Sequence, residues 1–168
     1  MKDDTLIAIL AYNEQKNITN VLKDVSNSFN NILVVDNNSL DLTVQKVKEF
    51  PVYLIEHKYT SKNKIIGMGG SAGGLLMGAV VNQVPELFLG IIMAVPFVDS
   101  LTTNLDHSLP LTVGEFDEFG NAKDKKNHFD YIYSYAPYNN IKKMDYPHML
   151  ITTSLSDNRV LFDEPAKF

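Results

Sequence analysis

The sequence predicts an α/β protein with a mostly parallel sheet, and three observations carry that expectation. Continuous apolar runs of strand length, such as Leu6 to Leu10, Ile32 to Val35 and Leu89 to Val95, alternate with stretches of helical periodicity. Runs without polar alternation belong to strands covered on both faces, as parallel strands are. A glycine-rich turn, Gly69-Gly70-Ser71-Ala72-Gly73-Gly74, follows one short strand and opens a helix.

Taken in order, Leu6 to Leu10 is the first strand. Asn13 can cap the helix that follows, whose Ile18, Val21, Leu22, Val25 and Phe29 recur at three- and four-residue steps. Ile32 to Val35 is the second strand, ended by the turn-rich Asp36-Asn37-Asn38-Ser39. Val44, Val47 and Phe50 give a second helix and Val52 to Ile55 a third strand, which together make a Rossmann-like βαβαβ segment. Lys64 to Met68 is a strand that feeds the glycine-rich turn. Leu75 to Gln83 is a helix stopped before Pro85, and Leu89 to Val95 the next strand. The excursion from Pro96 to Asp145 holds helices around Leu101 and Tyr131, and Met149 to Leu155 is the last strand.

With 168 residues, 45% apolar and 21% charged, the chain has the composition of one ordinary globular domain or two incomplete ones. A net charge of -5 argues against a nucleic-acid partner. The absence of cysteine excludes disulfides and thiolate metal sites. The four histidines, His57, His107, His128 and His148, have no metal-binding spacing, so neither a metal nor another cofactor is expected. The apolar runs are too short for a signal peptide or a membrane span, and a cytoplasmic location is the expectation.

All nine glycines lie at Gly67 or later, while eight asparagines crowd into the first fifty residues. That segregation divides the chain into a segment over 1–57 and another over 58–168.

Chemistry concentrates at Gly69-x-Ser71-x-Gly73, in the strand-to-helix context this motif requires. A serine there sits on a tight turn that lifts its hydroxyl clear of the sheet, and small flanking residues let strand and helix approach. The helix then aims free amides, that of Ala72 first, at the oxygen of a tetrahedral intermediate. Taken alone, the motif also fits glycine-rich turns that bind phosphate or only pack. Asp157, in Ser156-Asp157-Asn158-Arg159-Val160 after the last strand, reads equally as a triad acid or a solvated turn residue; Asp99, also after a strand, ranks behind it.

The text from Gly69 to Asn82, Ala94-Val-Pro-Phe-Val-Asp99, Pro110 to Asn121, Tyr135-Ala-Pro-Tyr138 and Asp145 to Leu150 resembles the prolyl oligopeptidase family of serine peptidases, in its oligopeptidase B branch. The resemblance runs from about Tyr59 to Phe168 and implies a partial α/β-hydrolase fold. It implies Ser71 as nucleophile, Asp157 as triad acid and Ala72 N–H as oxyanion donor. It also implies that Glu115 and Asp117 receive the basic side chain of a short Arg- or Lys-containing peptide. The family's histidine lies well beyond the triad acid, and eleven residues follow Asp157 here, so a base is expected only from a complementing chain. The serine-bearing strand is central in that fold, and Leu6 to Leu10 or Ile32 to Val35 is expected to fill the place of its missing neighbour.

The first segment has its own likeness. Ile7 to Glu14, Asn17-Ile18, and Val34-Val-Asp-Asn-Asn-Ser39 with Asp41 and Thr43 resemble the start of a family 2 glycosyltransferase. That implies nucleotide contacts from Tyr12, Asn13, Glu14 and Asp36, though no Asp-x-Asp metal motif is found. The expectation is a hybrid chain: a serine peptidase fragment, with a nucleotide-sugar-binding remnant as the alternative, and neither a membrane nor nucleic acid as partner.

Overall fold

The structure, a computed structural model, describes residues 6–11, 16–28, 31–36, 55–56, 58, 60–62 and 64–168. Strand β1 (Leu6–Ala11) pairs in parallel with β2 (Asn31–Asp36), which sets Ala11 beside Asp36 at their carboxyl ends. Helix α1 (Ile18–Ser26) connects them and buries Ile18 and Leu22 one turn apart, as its periodicity requires. The first βαβ unit is therefore formed. The expected helix around Val44 to Phe50 lies outside the described residues, as do Val52 to Leu54 of the expected third strand. Ile55 at the end of that strand is helical together with Glu56, so the strand does not extend to it.

The second sheet is formed by β3 (Ile65–Gly70), β4 (Phe88–Ala94) and β5 (His148–Thr152), all parallel in the order β3-β4-β5. Helix α2 (Ala72–Val81) lies over it, and every residue from Gly73 to Val81 is buried. Such an all-round apolar helix must be enclosed on all sides. It sits close because β3 offers it glycine: a Cβ on Gly67 would come within 2.9 Å of both Met77 Sδ and Ile91 Cδ1. Leu76, Met77, Val80, Phe88, Ile91, Met93 and Val98 form the core between helix and sheet.

Two boundaries differ from the sequence reading. Strand β3 runs on to Gly70 and α2 begins at Ala72, so the glycine-rich run is shared between strand and helix, with Ser71 alone as the joint. Glycine's low intrinsic preference for either state is overridden by burial.

The expectation that β1 or β2 completes the serine-bearing sheet is not met. Among the described residues β3 pairs only with β4, and β1 and β2 form their own two-stranded sheet. Strand β2 comes within 8 Å of β3, Cα to Cα, but no ladder joins them. The sheet face away from α2 is also open, since Ile66, Met68 and Leu150 share it by register and are 56%, 40% and 58% exposed.

The excursion between β4 and β5 contains α3 (Ser100–Leu105), α4 (Phe116–Phe119) and α5 (Lys126–Tyr135), two of them at the positions expected around Leu101 and Tyr131. Leu101, Ala122, Ile132 and Ala136 make their small core. A last short helix, α6 (Asp163–Lys167), packs Glu164 and Pro165 inward. No helix of the described residues is long and apolar enough to cross a membrane.

Candidate active site

Ser71 occupies a backbone conformation that L-residues rarely adopt, with φ 53° and ψ -119°. The surrounding hydrogen bonds over-determine it. Ser71 N–H donates to the Ala94 carbonyl at 3.0 Å, and the Ser71 carbonyl accepts from Gly74 (2.9 Å), Leu75 (3.2 Å) and Phe97 (3.0 Å). Such a conformation costs about 1–3 kcal/mol and persists only where its neighbours enforce it. Two glycines make the turn feasible. A Cβ on Gly69 would collide with the Gly73 carbonyl, and one on Gly74 would lie 2.5 Å from Pro96 Cα. The result is an exposed serine hydroxyl at the amino end of a buried helix.

Ser71 and Ala72 line a pocket of about 140 Å³ with Phe97, Thr103, Thr112, Glu115, Glu118 and Arg159. Among the described residues no backbone carbonyl takes the Ala72 N–H, which leaves it free to serve an oxyanion. Phe97 and Phe119 meet edge to face at 5.4 Å and supply apolar wall.

The acidic loop is held firmly. Asn104, on α3 and 5% exposed, donates to the Gly120 carbonyl at 2.8 Å and accepts from Ala122 N–H at 2.7 Å. Thr112 Oγ1 donates to the Thr103 carbonyl at 3.0 Å. Gly120 ends α4 at φ 89°, where a Cβ would meet His128. Burial and the charge of Glu118 push the Glu115 carboxyl above its usual range, with Arg159 opposing them.

Of the sequence-predicted residues, Ser71, Ala72 and Glu115 come together in one pocket. Asp117 is exposed and does not line it; Glu118 does. Asp157 does not line the pocket, and its Oδ1 accepts the N–H of Arg159 at 2.8 Å and of Val160 at 3.1 Å. Those two amides hold its carboxyl below the usual carboxylate range. The same turn seats Val160, buried against Leu75 and Phe97, and so fixes the loop to the serine helix. Asp99, the second-ranked acid, is 1% exposed and ion-paired with Lys167 at 2.6 Å, away from the pocket lining. Tyr12, Asn13 and Glu14 lie outside the described residues, as does the side chain of Asp36, although its backbone ends β2.

Sequence reasoning did not single out Glu118, Thr103 or Arg159 for this pocket. None of the described histidines lines it either. His128 accepts from Asn121 N–H at 2.9 Å, His107 lies edge-on to Phe116 at 5.1 Å, and His148 is exposed on β5.

A serine at positive φ, joining a strand to a buried helix and open to a pocket, defines the elbow of a serine hydrolase. The chain belongs to the prolyl oligopeptidase family, whose model matches residues 34–168. That match begins inside the 1–57 segment, for which a separate, glycosyltransferase-like origin was the expectation.

Protease 2 of Moraxella lacunata is 53% identical over 116 residues, covering 69% of this chain and 17% of that protein. Dipeptidyl aminopeptidase BI of Pseudoxanthomonas mexicana is 49% identical over 116 residues, covering 69% and 16%. Oligopeptidase B from Trypanosoma brucei, solved with covalently bound antipain, superposes on 74% of this chain and 18% of its own, at 44% identity and a TM-score of 0.72. Oligopeptidase B from Leishmania major covers 99% of this chain and 26% of its own, at 28% identity and a TM-score of 0.74. The chain thus spans about one-sixth of the length of these curated relatives.

Proposed function

We propose that the chain carries the nucleophile side of a serine-peptidase site that takes peptides with an Arg or Lys side chain. The observation that carries this reading is a strained, exposed Ser71 opening onto the same pocket as Glu115 and Glu118. Ser71 Oγ attacks the scissile carbonyl carbon and its proton passes to an imidazole base. The carbonyl oxygen becomes an oxyanion against Ala72 N–H, and collapse of the intermediate breaks the C–N bond as the amine takes up the proton. Water then releases the acyl group from Ser71. The substrate's basic side chain rests between Glu115 and Glu118 through charge-assisted hydrogen bonds. No described histidine lines the pocket, so on this reading the imidazole base comes from outside the described residues.

Calorimetric titration with agmatine, an arginine side chain without its carboxylate, tests the pocket. Binding is expected, and Glu115→Gln weakens it at least about tenfold, the loss of one charged hydrogen bond worth roughly 1.5–3 kcal/mol. Because the Glu115 carboxyl titrates above 4.5, affinity falls as the pH drops through that raised value, where the acid becomes neutral. Unchanged affinity in Glu115→Gln, or affinity that rises on acidification, contradicts the reading.

A second reading is favoured by the parallel β1–β2 pair, which brings Ala11 and Asp36 together at carboxyl strand ends, where α/β proteins bind nucleotides. On this reading the first segment is a nucleotide-sugar-binding remnant. Titration with UDP and a divalent metal decides it, and no heat at millimolar ligand ends it.

A further inference from the structure

Helix α3 holds both ends of the acidic loop. On the near side Thr112 Oγ1 donates to the Thr103 carbonyl at 3.0 Å, and Glu115 N–H in turn donates to the Leu111 and Thr112 carbonyls at 3.0 and 3.3 Å. On the far side Asn104 binds Gly120 and Ala122. Yet α3 is six residues long, and among the described residues Asp99 at its start makes no side-chain cap. A helix of that length does not hold itself in place. Its tie comes from α6. Glu164, 2% exposed and outside the pocket lining, accepts from Thr103 Oγ1 at 2.7 Å with one carboxylate oxygen and from Asp99 N–H at 3.0 Å with the other. The carboxylate thus spans the first turn of α3. Burial lifts the Glu164 carboxyl above its usual range, and these two bonds act against that lift.

We propose that Glu164 is a positioning residue of the pocket: acting from α6 through Thr103 and Thr112, it fixes where Glu115 stands to receive a ligand's basic side chain. The inference rests on the peptidase reading of the pocket. The relay is continuous, from Glu164 to Thr103, from Thr103 to Thr112, and from Thr112 to the N–H of Glu115, and the last three residues all line the site. What the relay needs is a side chain that reaches both partners, rather than a negative charge. Glutamine has the same reach: its carbonyl oxygen accepts from Asp99 N–H while its NH₂ donates to Thr103 Oγ1, a hydroxyl that both gives and takes hydrogen bonds. Aspartate keeps the charge but is one methylene too short to span the turn. Methionine keeps the length and offers only a weak acceptor. The ion pair of Lys167 with Asp99 remains in each variant to dock α6.

Agmatine titrations of the full chain at neutral pH, with Glu115→Gln as the reference for the pocket itself, test this. Glu164→Asp and Glu164→Met are expected to weaken agmatine about fivefold, the scale of one net hydrogen bond. Glu164→Gln is expected to stay within about twofold of the parent, because its amide keeps both contacts. Thr103→Val weakens agmatine as well and, combined with Glu164→Met, adds little, since both act through one bond. Val80→Ala, in the core between α2 and the sheet, lowers the melting temperature without moving the affinity, which separates positioning from general loosening. Melting lowered by Glu164→Asp and Glu164→Met with agmatine unchanged overturns the inference, and so do fully additive losses in the double variant. The reverse order, with Glu164→Gln weak and Glu164→Asp like the parent, overturns it too, because the charge alone would then act. Should Glu164→Met fail to fold by circular dichroism, the contrast between Glu164→Asp and Glu164→Gln decides. No agmatine binding by the parent, or indifference to Glu115→Gln, instead sinks the peptidase reading of the pocket and the inference with it.

Discussion

Gly69→Ala is expected to remove about 3 kcal/mol or more of stability and to abolish reactivity at Ser71 together with it. The new methyl group would collide with the Gly73 carbonyl and lie 2.9 Å from Met77 Cγ. Neither neighbour can yield. The Gly73 carbonyl belongs to the first turn of α2, whose next residue, Gly74, has no room for even a Cβ against Pro96. Ser71 is pinned by four backbone hydrogen bonds, so the joint cannot rotate to make room. Overpacking a well-filled core costs about 1–3 kcal/mol where side chains can shift, and backbone obstruction places this case at or above the top of that range. Against a total of roughly 5–15 kcal/mol for a domain, that is a large fraction. Urea unfolding of the variant beside Gly114→Ala checks it. A methyl group on Gly114 meets only Leu111 O at 3.6 Å, so that control is expected within about 0.5 kcal/mol of the parent.

The second large effect is expected at residues outside the pocket lining. Lys167→Ala strips the partner from Asp99, a carboxylate that is 1% exposed and whose Oδ1 already lacks a hydrogen bond. Breaking a buried pair by removing one member costs about 3–5 kcal/mol. The lower end applies because the Lys167 side chain is 34% exposed and water screens part of the loss. Lys167→Ala with Asp99→Asn recovers most of the stability, since no charge is then left buried, and a thermodynamic cycle over the four proteins measures this.

Burial pulls the Lys167 ammonium down, but the hydrogen bonds to Asp99 and Asp163 outweigh it and raise it above 10.5. A cationic group raised in the folded state contributes fully below its unfolded value. The pair therefore stabilises at neutral pH and fades as the pH rises through the raised lysine value. The consequence reaches the pocket, because Glu164 of the same helix accepts from Asp99 N–H at 3.0 Å and from Thr103 Oγ1 at 2.7 Å, and Thr103 lines the site.

The elbow was legible in the chain because three local signals agree there. An apolar strand, a Gly-x-Ser-x-Gly turn and the helix-forming Leu75-Leu-Met77 point to one geometry. The partners of the serine were less legible. The pairing of Glu115 with Asp117 rests on the family resemblance alone. The loop turns into α4, where residues three apart face together, and Glu118 rather than Asp117 lines the pocket with Glu115. A spacing of three acids around Phe116 was the available signal. Arg159 was hidden for another reason: only the Asx-type turn on Asp157 and the burial of Val160 bring that loop to the pocket. The ladder expected beside β3 is not formed: among the described residues β1 and β2 pair only with each other.

The central claim is that the hydroxyl of Ser71, raised at the end of β3 and served by the amide of Ala72, is the reacting group. Prolonged exposure to a fluorophosphonate probe, followed by peptide mapping in a mass spectrometer, tests it most directly. The strained Ser71 hydroxyl sits beside the free Ala72 amide, so formation of a single adduct at Ser71, absent in Ser71→Ala, is the predicted result. An adduct on another serine with Ser71 untouched, or no adduct at all, would contradict the account.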